Sequence, residues 1–220
     1  MDAAVFSQVD DYLVDLFSLQ DDVLLRTERS IVEHGMPEHS VSANQGQFLF
    51  MLARLCQAQR IVEIGTLGGY STIWLGRALR EQGRLTTIEI EPSFAAVAQE
   101  NIANAALLDK INVKVGDALT VLAELEEDPT PVDLLFMDAD KPNYVAYFNW
   151  ALKMSRKGTI IVADNVIRGG KVLDASSKDE KVMGVRAYNK MLSENTQVVT
   201  SVLPNVGKKE YDGMAISVVK

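Results

Sequence analysis

Apolar residues follow two kinds of pattern along this chain, and the change between them falls near residue 60. Before it, Val5, Val9, Leu13 and Leu16 with Phe17 recur at helical spacing, as do Phe48, Leu52 and Leu55 within 43–55. Both stripes predict amphipathic helices, separated by a break at Gly35-Met36-Pro37. After it, short apolar runs alternate with longer stretches of helical period. The runs 60–64, 84–89, 111–115, 132–137, 159–163, 196–203 and 214–219 predict strands. The stretches 71–81, 93–106, 118–126, 144–154 and 180–193 predict helices. That alternation implies an α/β fold, with a seven-stranded, mostly parallel sheet covered by helices on both faces. The last two strands are joined by the link 204–212, too short for a crossover helix, so an antiparallel hairpin is expected at one edge. With no repeat or low-complexity linker, one domain over 1–220 with a helical N-terminal extension over 1–58 is the simplest organisation.

Composition narrows the partners more than the fold. The 220 residues are 47% hydrophobic and 24% charged, enough to bury one substantial core. A formal charge of -8, with no stripe of lysines and arginines, argues against nucleic acid. Cys56 is the only cysteine, which excludes an internal disulfide framework and a thiolate zinc site. The acid-rich start lacks the positive charge of a secretory segment, and no apolar run approaches the length of a membrane span. The cytoplasm is the expected compartment, with no membrane partner.

The first chemical signal is Ile61-Val62-Glu63-Ile64-Gly65-Thr66-Leu67-Gly68-Gly69-Tyr70-Ser71, an apolar strand running through a glycine-rich turn into a helix. Such a turn brings backbone N–H groups and a helix start close to a ligand. The dinucleotide spacing Gly-x-Gly-x-x-Gly is broken after Gly65, and no Gly-Lys-Ser/Thr phosphate loop follows. The turn therefore suits a nucleoside-like ligand without a pyrophosphate.

Four predicted strands end in an acid or lie beside one: Glu89, Asp117, Asp138 and Asp164. In an open parallel sheet, ligands bind outside these strand ends. Glu89 lies 24 positions after Gly65, where a carboxylate meets a ribose hydroxyl pair. Asp117 reads equally as a cap for the helix beginning near Ala118. If the fourth and fifth strands are neighbours, Asp138 and the pair Asp164-Asn165 converge with oxygen donors alone. That set suits magnesium, manganese or calcium rather than zinc or copper. Such an ion can hold two vicinal hydroxyls and acidify one. Lys141, three residues beyond Asp138, is placed to act as a base there; on spacing alone it reads as a solvated lysine paired with Asp140.

Together these segments resemble the cation-dependent, small-molecule O-methyltransferases that use S-adenosylmethionine, the group of catechol and caffeoyl-CoA O-methyltransferases. The matching pieces are 63–71, Thr87-Ile-Glu-Ile-Glu-Pro92, Gly116-Asp-Ala118, Met137-Asp-Ala-Asp-Lys-Pro-Asn-Tyr144 and 157–165, with a further likeness in 41–47. The resemblance implies a Rossmann-like methyltransferase fold and a homodimer. It implies that Val41, Glu63, Gly65, Thr66 and Ser71 surround the methionine end of the cofactor. Glu89 then holds the ribose, Asp117 and Ala118 flank the adenine, and Asp138 and Asp140 lie beside the cofactor. Asp138, Asp164 and Asn165 bind a divalent cation, most naturally Mg2+, and Lys141 is the base. The implied substrate is a small catechol-like aromatic whose oxygen attacks the sulfonium methyl in line. Asp212-Gly213 is present near the C-terminus, but the spacing of the family's substrate-facing glutamate falls on Val206, with Glu210 closer. The segment 167–181 is the expected substrate loop.

The remaining residues carry less. His34 and His39 read as surface or capping residues, and Cys56 as a small buried hydrophobe. Tyr147 and Trp150 share a helix face and read as packing residues more than pocket lining. No Gly-x-Ser-x-Gly elbow is present. The rival functions are a nicotinamide-dependent oxidoreductase, a methyltransferase of proteins or other non-catechol acceptors, and a non-catalytic S-adenosylmethionine-binding module.

Overall fold

The computed structural model describes residues 3–207 and 211–220. Three helices, α1 (Ala3–Phe17), α2 (Asp22–Glu33) and α3 (Ala43–Leu55), lead into the sheet. Then follow β1 (Arg60–Ile64), α4 (Tyr70–Ala78), β2 (Arg84–Glu89), α5 (Pro92–Asn104), β3 (Ile111–Val115), α6 (Ala118–Leu125) and β4 (Val132–Met137). The chain ends with α7 (Tyr144–Lys153), β5 (Ser155–Ala163), α8 (Glu180–Glu194), β6 (Val198–Asn205) and β7 (Asp212–Val219). Short 3-10 turns at Lys141–Asn143 and Arg168–Leu173 follow β4 and β5.

The seven strands are ordered β3-β2-β1-β4-β5-β7-β6. The first five run parallel, while β7 is antiparallel to both β5 and β6, so the expected hairpin forms one edge of the sheet. Chain order reverses between β1 and β4, which opens a crevice beyond their carboxyl ends. Both faces are covered. Leu49, Ile61, Ile73, Leu85, Phe136 and Val162 pack in one layer with α3 and α4. Val62, Ile64, Leu135, Phe148, Val185 and Tyr188 pack in the other with α7 and α8. Strand β4 is consequently buried at every position.

Departures from the sequence pattern have local causes. Strand β5 starts at Ser155, four residues early, because Ser155 pairs with Val132 before a register shift brings Ile160 opposite Leu134. Buried Asp133 anchors this shift: it accepts the N–H groups of Gln59 and Arg60 at 2.7 and 3.0 Å and the Arg156 guanidinium at 2.6 Å. Helix α2 buries Leu24, Thr27 and Ile31, a face mixed enough to escape an apolar count. Helix α3 buries Ala43, Gly46, Leu49 and Ala53, whereas Leu55 of the expected stripe is 75% exposed. Gly46 explains the rotation, since a Cβ there would collide with the Trp74 indole. The α1 stripe also faces outward, with Val5, Val9, Leu16 and Phe17 exposed. No helix among the described residues is long and apolar enough to cross a membrane.

Candidate active site

A cleft of about 1710 Å³ opens at the carboxyl ends of the parallel strands, lined by the glycine turn and by residues following β2, β3, β4 and β5. Gly65 has φ +95, and a Cβ there would run into the Asp138 carbonyl oxygen, so the turn after β1 can touch the end of β4 only with glycine. Gly69, at φ +85, is the N-cap immediately before α4. Glu89 braces the turn: Oε2 accepts the N–H groups of Thr66 and Leu67 at 3.2 and 2.8 Å. Thr66 meets Thr87 through their hydroxyls at 2.6 Å. Val41, Gly65, Thr66, Ser71, Glu89, Asp117, Ala118, Asp138 and Asp140 all line the cleft.

Glu63 lies beneath the turn with no exposed surface. Its two carboxylate oxygens accept the hydroxyls of Ser71 at 2.6 Å and Thr72 at 2.5 Å. Burial pushes its carboxyl up to about 7, against those hydrogen bonds. Asp117 caps α6, accepting the Thr120 N–H at 2.9 Å, and this bond holds its carboxyl below the usual range. The capping reading holds for Asp117, which also borders the cleft. Asp140 accepts the Tyr147 hydroxyl and the Asn143 amide.

Lys141 is not a solvated lysine, and its partner is not Asp140. It is 5% exposed, with Nζ at 3.0 Å from Asp138 Oδ1 and 2.5 Å from the Tyr144 hydroxyl. Tyr144 in turn donates to the carbonyl oxygens of Asp164 and Met137, at 3.0 and 3.1 Å. Asp164 is buried; Oδ1 accepts the Asn165 N–H at 2.7 Å and Oδ2 accepts Gln45 Nε2 at 3.5 Å. Burial, then the negative charge of Asp138, drives the Asp164 carboxyl well above the ordinary carboxylate range. Asn165 has φ +57, the left-handed region that asparagine tolerates better than most residues. Asp138, Lys141, Asp164 and Asn165 thus lie together on one wall of the cleft.

Several residues in the segments singled out by sequence contribute through contacts that the sequence pattern does not show. Gln45 reaches Asp164 from α3, Tyr144 holds Lys141, and Asp212 holds the backbone after β5. Tyr147 does more than pack, since it lines the cleft, whereas Trp150 is buried in the core. His34 caps α2 and His39 borders the cleft. Cys56 is only half-buried, at the C-cap of α3. Val206 lines the cleft, and Glu210 lies outside the described residues.

The donor set can be tested against a cation. Two carboxylates, with Asp164 pushed up by burial and then by the charge of Asp138, form a site in which added positive charge would be stabilised. With the Asn165 amide they offer oxygen donors, which fits a hard divalent ion. Among the described residues no three His, Cys, Asp or Glu side chains form a metal site, so cation binding here would rest on two acids, an amide and water.

The family model described as O-methyltransferase matches residues 16–217, and the chain belongs to that family of methyl-transferring enzymes. A catechol O-methyltransferase of Niastella koreensis is 53% identical over 221 residues, covering all of both chains. An O-methyltransferase from Bacillus cereus, solved in complex with SAH, superposes with a TM-score of 0.97 at 42% identity and full coverage of both chains. One from Streptomyces achromogenes, involved in tomaymycin synthesis and solved with SAM, gives a TM-score of 0.96 at 43% identity, covering 100% of this chain and 99% of its own.

Proposed function

We propose that the chain transfers a methyl group from S-adenosylmethionine to one hydroxyl of a small vicinal dihydroxy aromatic acceptor, with a divalent cation required. The observation that carries this reading is the meeting of Asp138, Lys141, Asp164 and Asn165 beside the glycine turn. Val41, Gly65, Thr66 and Ser71 border the space for the methionine end, with Glu63 behind Ser71. Glu89 is assigned to the ribose, Asp117 and Ala118 to the adenine, and Asp138 and Asp140 to the cofactor's flank. Asp138, Asp164 and Asn165 are the cation ligands, for Mg2+ first, with Mn2+ or Ca2+ suiting the same donors.

When bound, the cation supplies Lewis acidity that makes an acceptor hydroxyl easier to deprotonate, and S-adenosylmethionine supplies the electrophilic methyl. Lys141, as the neutral amine, takes the hydroxyl proton at Nζ and becomes the ammonium, which Asp138 and the Tyr144 hydroxyl are placed to hold. The turn and the wall hold the two reactants in line, so positioning carries much of the rate. The same reading places the chain in the cytoplasm as one domain with a helical extension over 1–58. It also makes the chain a homodimer, for which the outward apolar stripe of α1 gives support.

The test is transfer of labelled methyl to a panel of catechols and hydroxycinnamoyl thioesters, with magnesium and then with excess chelator. Cation-dependent transfer to a vicinal diol supports the reading. Cofactor binding without transfer to any acceptor contradicts it.

A further inference from the structure

Arg168 holds an unusual position on the cleft wall. It stands three residues after Asn165, in the segment Asn165–Gly170 that continues the wall from the cation-binding pair. Its φ is +56, and the next two residues, Gly169 and Gly170, have φ +61 and +83. For a residue with a Cβ this conformation costs on the order of 1 kcal/mol, a cost that glycine would not carry. What the position gains from arginine is the side chain.

The backbone is fixed to hold that side chain in place. One carboxylate oxygen of Asp212 accepts the N–H groups of both Ile167 and Arg168 at 2.9 Å, and that of Gly213 at 2.9 Å. Asn189 donates to the Val166 carbonyl at 2.9 Å, and Arg186 to that of Val172. The segment is thus pinned from β7 and from α8. Asp212, a carboxylate on the same wall, is already committed to the backbone.

The Arg168 side chain itself is poorly provided for. Its Nε is buried with no hydrogen-bond partner, and the ion pairs among the described residues do not include it. This is unexpected in a cleft lined by Asp138, Asp140, Asp164 and Asp212 in a chain of net charge -8. Lys141 Nζ, on the same wall, is paired at 3.0 Å with Asp138. Lys181, on the first turn of α8, also lines the cleft. A buried donor without a partner is costly, and a planar guanidinium recognises a carboxylate through paired hydrogen bonds.

We infer that Arg168 is the acceptor-recognition residue of this site, and that the preferred acceptor is a dihydroxy aromatic acid whose carboxylate meets the Arg168 guanidinium. This deepens the O-methylation reading and rests on it for the identity of the site. An anionic acceptor entering a cleft rich in carboxylates needs a cation at the point of contact, and Arg168 provides it. Neutral catechols would leave the guanidinium unpaired and bind less well.

Two matched acceptors test the inference, 3,4-dihydroxybenzoate and its neutral amide. Binding is measured by calorimetry to the full chain loaded with S-adenosylhomocysteine and Mg2+, and turnover is measured separately with S-adenosylmethionine. The wild type is expected to favour the acid by about tenfold or more in both Kd and kcat/KM, the usual scale of a charge-assisted hydrogen bond. In Arg168→Gln the acid-to-amide ratio should collapse toward one. Arg168→Gly, which also relieves the left-handed strain, should show the same collapse, and Arg168→Lys should restore part of the preference. A wild type with no acid preference, or a ratio unchanged in both Arg168→Gln and Arg168→Gly, overturns the inference. Equal losses for acid and amide do so as well, because a structural role lowers both together. If the binding ratio depends on Arg168 but neither compound is methylated, the recognition site stands and the O-methylation reading falls.

Discussion

Lys141 Nζ lies 2.5 Å from the Tyr144 hydroxyl, and both side chains are buried where the strand β4 hands over to α7. The tyrosine is tied in turn to the carbonyl oxygens of Met137 and Asp164, the residues that end β4 and follow β5. The amine is therefore positioned, through Tyr144, by the ends of the neighbouring strands β4 and β5.

Removing the hydroxyl in Tyr144→Phe should lower kcat by roughly ten- to a hundredfold, the scale of one hydrogen bond to a charged group. Lys141→Ala should cost more, about 10²–10⁴-fold, the range for loss of a positioned base. Both variants should still bind S-adenosylmethionine. Single-turnover kinetics with cofactor binding measured alongside checks this, and a Tyr144→Phe enzyme with wild-type kcat would contradict it.

Gly65→Ala should disable the turn. The position combines φ +95 with no room for a Cβ against the Asp138 carbonyl. Strain and displacement together should cost about 3 kcal/mol or more in stability, seen in chemical denaturation. The cofactor affinity of whatever folds should fall steeply. Gly35→Ala, at φ +64 with open space around it, should cost only on the order of 1 kcal/mol.

The stability of the ligand-free chain should fall as pH rises from about 4.5 to 8. Glu63 has its carboxyl raised to about 7 in the fold, so between its unfolded and folded values the native state binds the extra proton. Stability then decreases with pH across that window, by up to about 3 kcal/mol for this group. Asp164 acts in the same direction. Asp21, Asp117 and Asp174 have lowered values, and their contributions are lost only below the ordinary carboxylate range, outside the window. Melting curves at pH 5.5 and 8 should show the drop, and Glu63→Gln should reduce it, leaving the part that Asp164 contributes. A stability that climbs steadily to pH 8 would count against the buried placement of Glu63.

Much of this site could be read from the sequence, because strand-end positions follow from period and length. Once 60–64 and 132–137 are strands, Gly65 and Asp138 must sit at the same edge, and Lys141 and Asn165 follow by short offsets. What the sequence pattern left open depends on close approach and on distant partners. A periodic stripe shows that α3 has an apolar face, but the contact of Gly46 with Trp74 decides which side is buried. The stripe on α1 was legible as a stripe, yet nothing local says what covers it. The hold of Asp212 on the Arg168 backbone spans 44 residues, and a left-handed arginine leaves no mark in composition or period.

The central claim is that Asp138, Asp164 and Asn165 hold a divalent cation at the reacting centre, and a magnesium titration of turnover tests it most directly. Catechol turnover should vanish in excess chelator and return with Mg2+. In Asp164→Asn and Asn165→Ala the half-saturating Mg2+ should rise about tenfold or more while S-adenosylmethionine binding persists, the usual result of losing a ligand or its close support. Full turnover in chelator, or a magnesium curve unmoved by both substitutions, would contradict the account.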